Sequence, residues 1–89
     1  MIEKQLTIIN KLGLHARASA KFVSTANRFQ SQLTVKKGNQ SVNGKSIMGV
    51  MMLAAPLGSD IVLIFDGPDE EHMAEAMTSL ISNKFGEPE

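Results

Sequence analysis

The chain contains no cysteine. That removes disulfides, thiolate catalysis and Cys-type zinc sites, and fits a reducing compartment. It carries no net charge either, nine basic residues balancing nine acidic ones. Such a balance argues against nucleic acid or an anionic membrane as a bulk electrostatic partner. Long apolar runs are missing too. The longest mostly apolar stretch, "IMGVMMLAAPL" from Ile47 to Leu57, is too short to span a bilayer and contains Gly49 and Pro56. The opening "MIEKQLTII" lacks the basic region and long apolar stretch of a signal peptide. A cytoplasmic protein with no membrane insertion is therefore expected. No repeat, low-complexity segment or Pro/Gly/Ser-rich linker divides the 89 residues, so one domain over residues 1–89 is expected. No His/Asp/Glu cluster has ligand spacing, and neither a metal nor a cofactor is expected.

What remains is a clear alternation of patterns. Leu6 and Ile8 alternate with Gln5 and Thr7, which predicts a strand near residues 2–9. Phe22, Val23, Ala26 and Phe29 then follow helical spacing, predicting a helix near 16–28. "QLTVKK" alternates again, "GN" supplies a two-residue turn, and "QSVN" returns as a short strand. "KSIMGVMML" is a short helix with Ser46 as N-cap, stopping before Pro56 and Gly58. "DIVLIF" is continuously apolar and β-branched, so a strand with neighbours on both edges is expected. A last helix spans the segment from Gly67 to Phe85, with acids in its first turn and Met73, Met77, Leu80, Ile81 and Lys84 at helical spacing. Lys84 near its end would suit the helix dipole. The order β-α-β-β-α-β-α predicts an α+β fold, helices covering one face of a mainly antiparallel sheet.

The chemistry is concentrated in "NKLGLHARASAKF", Asn10 to Phe22, where His15 stands at a helix start between a flexible Gly13 and Arg17. A helix start offers backbone N–H groups without internal partners, and its dipole adds partial positive charge. It is an anion site before any side chain contributes. A neutral imidazole there is a nucleophile, and Arg17 adds a fixed charge suited to phosphate oxygens. Together they read as a site for a phosphorylated histidine. A lone histidine before a helix is more often a surface residue or a modest cap, and a static anion site or a regulatory interaction module also fits. No carboxylate stands beside His15 in the sequence. His72 lies in a polar first turn and reads as solvated. "GNQSVNGKS" looks like a P-loop, but five residues separate Gly38 from Gly44 where four are needed. On the short helix, Val50 and Leu53 are spaced to face the core, leaving Ile47, Met48 and Met51 to face outward as an apolar docking patch.

"GLHARASAKF" and "NGKSIMGVMML", set in this element order, closely resemble the HPr family, the histidine-containing phosphocarriers of the bacterial phosphoenolpyruvate-dependent phosphotransferase system. The resemblance covers essentially the whole chain. It implies that His15 carries phosphate on Nδ1, accepting it from Enzyme I and passing it to Enzyme IIA proteins. It likewise makes Arg17 the motif arginine, and the amides of Ala16 and Arg17 the phosphate-facing helix start. Ser46 becomes the serine modified by HPr kinase/phosphorylase. The implied protein is a monomeric carrier rather than an enzyme, folded as an open-faced β-sandwich of four antiparallel strands under three helices. Many members have proline after the motif arginine where this chain has Ala18, so slightly altered geometry or phosphate affinity is expected there.

Overall fold

The computed structural model describes residues 1–89. Four strands, β1 (Ile2–Thr7), β2 (Gln32–Lys37), β3 (Gln40–Asn43) and β4 (Asp60–Asp66), form one antiparallel sheet ordered β1-β4-β2-β3. Three helices, α1 (Ala16–Ala26), α2 (Ile47–Leu53) and α3 (Glu70–Ser82), complete the α+β open-faced sandwich, and a 3-10 turn follows at Lys84–Gly86. As "DIVLIF" suggests, β4 is internal, pairing Leu63 with Lys4 on one side and with Val35 on the other.

Strand alternation decides which face is covered. Ile61, Leu63 and Phe65 of β4 and Leu33 and Val35 of β2 are buried, and Phe22, Val50, Leu53, Met73, Met77 and Ile81 come down on them from the three helices. Between them, Val62, Ile64 and Thr34 lie half-buried and Lys36 is exposed, so the opposite face of the sheet stays open to water. Burial at roughly 25 cal/mol per Å² of apolar surface is what holds helices this short, since isolated helices of such length are marginal.

Two helix ends differ from their predicted limits. α1 stops at Ala26, with Arg28 and Phe29 closing tighter turns onto Thr25 and Ala26 carbonyls. α3 stops at Ser82, and Lys84 does not belong to it. Lys84 and Phe85 have φ of 55° and 56°, left-handed values that reverse the chain instead of extending the helix. The dipole role expected of Lys84 is therefore not present. Burying Phe85, 1% exposed, outweighs a strain of about 1–2 kcal/mol per left-handed residue.

Candidate functional site

His15 is the N-cap of α1, and its extended backbone directs the chain into the helix. Its side chain makes no capping bond. The first amide to reach a helix carbonyl is that of Ser19, 2.8 Å from His15 O, so the N–H groups of Ala16, Arg17 and Ala18 point out of the helix mouth. Arg17 is exposed and forms no ion pair.

The approach to His15 is rigid. Gly13 is buried at φ 66°, and a Cβ there would lie 2.5 Å from Ala55 O and 2.8 Å from Pro56 Cα. The flexible role expected of Gly13 gives way to a close backbone approach that no other residue fits. Leu14 N–H then donates to Ala55 O at 2.8 Å, tying the histidine loop to the chain just beyond α2. At the other end of α1, Lys45 Nζ donates to Phe29 O at 2.6 Å and Asn27 Nδ2 to Lys45 O at 3.2 Å. These bonds hold the two helices side by side.

The fold also brings a carboxylate to the histidine, 72 residues away in sequence. His15 Nε2 lies 2.5 Å from Glu87 Oε2. An ionised carboxylate can only accept, so the ring proton shared with it sits on Nε2, and no hydrogen bond engages Nδ1. Asn10, fully buried, donates from Nδ2 to Glu87 Oε1 at 3.0 Å and to Gly13 O at 2.8 Å. The bond from His15, reinforced by that from Asn10, holds the Glu87 carboxyl below its ordinary value of 4.5. The segment carrying Glu87 is fastened by Phe85, by Lys21 Nζ on Phe85 O at 2.7 Å, and by Lys11 N–H on Glu89 O at 3.0 Å.

At its own entrance α2 opens on Ser46, whose Oγ accepts from Gly49 N–H at 3.2 Å, as the cap pattern predicts. Val50 and Leu53 are buried, while Ile47, Met48 and Met51 are exposed. Met52, 71% exposed, belongs to the same surface although its position in "IMGVMML" gave no separate signal. Leu12 and Leu57, next in the chain to the residues of the Gly13–Pro56 crossing, are exposed as well. His72 is exposed. Asn10 and Glu87 were not singled out by the sequence. Asn10 carries no local chemical signal, and the only hint of Glu87 is that "FGEP" breaks the helical period.

The chain matches the PTS-HPr family model, described as the PTS HPr component phosphorylation site, over residues 2–83. It is 54% identical to the phosphocarrier protein HPr of Cupriavidus necator and 55% identical to that of Neisseria meningitidis serogroup A, each alignment covering both chains completely. Among solved structures, it resembles the crystal structure of HPr-C-His from Thermoanaerobacter tengcongensis, with a TM-score of 0.96 and 48% identity over the full length of both chains. It also resembles the crystal structure of an HPr dimer from the same organism, with a TM-score of 0.79 and 49% identity over 98% of this chain and 100% of the other. The chain belongs to the PTS-HPr family, the phosphocarriers of the phosphotransferase system.

Proposed function

We propose that His15 is the phosphorylated residue, accepting a phosphoryl group on Nδ1 from phosphorylated Enzyme I and delivering it to Enzyme IIA proteins. The observation that carries this reading is the mouth of α1, where the capping residue is an imidazole that bonds none of the free helix amides. In the accepting step the Nδ1 lone pair forms an N–P bond while phosphorus parts from the donor, which keeps the electron pair of the broken bond. The reverse bond changes release the group to the acceptor. Phosphoryl transfer requires mainly positioning and charge stabilisation, and the amides of Ala16 and Arg17 with the Arg17 guanidinium supply both. Glu87 has each oxygen engaged, one by His15 and one by Asn10, which favours a carrier that does not activate water against its own cargo.

The exposed side chains of Ile47, Met48 and Met51 serve in this reading as the apolar surface on which partner proteins dock, completing the chemistry in their own active sites. Phosphorylation of Ser46 by HPr kinase/phosphorylase would set about two negative charges at the rim of that surface and slow docking. The carrier acts as a cytoplasmic monomer, and a core of 18 buried residues that closes within one chain supports the monomer. Incubation with phosphoenolpyruvate and Enzyme I tests the assignment. An acid-labile, base-stable phosphate on His15 is expected, and no incorporation would leave the regulatory-module and static-anion readings.

A further inference from the structure

Three features converge on one side chain. Glu87 reaches the ring nitrogen opposite Nδ1, its second oxygen is held by a buried amide, and the backbone delivering it turns back through three successive left-handed residues, Lys84, Phe85 and Gly86. Strained conformations persist where surrounding structure fixes them, and here a buried phenyl ring, the Lys21 ammonium and the Lys11 amide do so. Only 11% of the Glu87 side chain is exposed, against 28% for His15. So committed a segment does more than cover the core, because Phe85 alone would achieve that.

We infer that Glu87 is a positioning residue for phosphoryl transfer at His15, holding the ring by its Nε2–H so that Nδ1 faces the mouth of α1, and offsetting the positive charge the ring gains when the N–P bond forms. The inference rests on the phosphohistidine reading. A neutral imidazole has one N–H and one lone pair, and a carboxylate on one nitrogen assigns the proton there. When Nδ1 bonds phosphorus, the Nε2 proton stays where it is and the ring becomes cationic. A fixed carboxylate already hydrogen-bonded to that proton stabilises the cation without a proton changing hands. Carboxylate partners orient metal-bound and catalytic imidazoles in the same manner. When the phosphoryl group leaves, the electron pair returns to Nδ1 and the neutral Nε2–H ring is restored.

The test compares the wild type with Glu87→Ala and Glu87→Gln in the full chain. Two readouts are taken, initial phosphoryl acceptance from Enzyme I with phosphoenolpyruvate and the imidazole nitrogen spectrum by NMR. In the wild type, Nε2 should carry a hydrogen-bonded, downfield proton and Nδ1 should be unprotonated in the neutral ring. Glu87→Ala should lose that proton signal and accept phosphate about tenfold more slowly, the low end of what losing a histidine's supporting partner costs. Glu87→Gln can still bond Asn10 and hold the segment in place, so it separates charge from anchoring. It should keep a folded chain and be slower than the wild type. Wild-type rates in both variants, or a full rescue by Gln, would overturn the inference. An unlabelled His15 in the wild type would instead overturn the phosphohistidine reading on which it rests. A melt of each variant identifies any loss of rate due to unfolding, and Glu87→Gln decides the matter if Glu87→Ala does not fold.

Discussion

The mouths of α1 and α2 are built alike and used differently. Each helix is entered from an extended cap residue, and each entrance is tied to the far end of the other helix, Leu14 to Ala55 beyond α2 and Lys45 to Asn27 and Phe29 beyond α1. At α2 the cap closes its own helix, Ser46 Oγ taking the Gly49 amide. At α1 the cap turns away, His15 bonding Glu87 and leaving the helix amides unclaimed. A satisfied mouth gains local stability, and an unsatisfied one keeps its donors and dipole for an anion. The difference lies in one side chain and where its hydrogen bond goes.

Exchanging the caps for alanine gives the largest contrast. His15→Ala should abolish phosphate acceptance from Enzyme I and leave the fold intact, whereas Ser46→Ala should still be labelled. Labelling of His15→Ala at the wild-type level would break the comparison, since the nucleophile would then lie elsewhere. Next in size is Arg17→Ala. The guanidinium has no partner in the chain, so its removal costs the phosphate a charge-assisted bond and leaves the helix amides in place. Acceptance should slow by about ten- to a hundredfold, one such bond being worth roughly 1.5–3 kcal/mol. A loss as complete as that of His15→Ala would mean the arginine outweighs the helix mouth.

Ser46→Asp tests whether the closed mouth is also a switch. A carboxylate can still cap α2 and is favoured by its dipole, so the variant should melt no lower than the wild type. The charge beside Ile47, Met48 and Met51 should slow acceptance from Enzyme I by about fivefold, a coupling of roughly 1 kcal/mol across an interface. A lower melting temperature with an undiminished rate would make the serine purely structural. Ser46→Ala, lacking the cap bond, should cost about 1 kcal/mol and lower the melting temperature by about 4–8 °C.

How much of this was legible in the sequence varied with the range of the interaction responsible. The strands, the internal position of β4 and the Ser46 cap depend on residues a few positions apart, and alternation or capping pattern announces them. His15 and Arg17 were visible as chemistry at a helix start because the start itself is a local feature. Lys84 misled, since helical spacing continued through a residue where tertiary burial of Phe85 had already reversed the chain. Glu87 could not be seen from local pattern, because its partner stands 72 positions earlier and nothing near either residue specifies the pairing. The apolar surface is legible only in part. A seven-residue helix cannot bury "IMGVMML", but which methionines face out depends on the helix's rotation against the sheet, and that brought Met52 out as well.

Acid gives the smallest effect and the finest separation of the two mouths. Glu87 is held below its ordinary 4.5 by the bonds from His15 and Asn10, so at a given acid pH the group binds fewer protons in the folded chain than in the unfolded one. A carboxylate shifted downward contributes stability that is fully present above its unfolded value and is lost as pH falls through the folded one. Glu87→Gln should therefore melt below the wild type most clearly above pH 4.5, with the gap narrowing as acid protonates Glu87 in the native protein. No ionisable group takes part in the Ser46–Gly49 bond, so the gap between the wild type and Ser46→Ala should stay constant over the same range. Asp69 provides a background slope common to all these variants. The Ser31 hydroxyl and then the Gln30 amide pull its carboxyl down to about 2, at the far end of α3 from Glu87. Differences between variants cancel that slope, and melting at several pH values between 3 and 7 is the measurement. A Glu87→Gln gap that does not change with pH would show that the His15–Glu87 contact contributes no charge to the folded state, and the two mouths would then differ in shape alone.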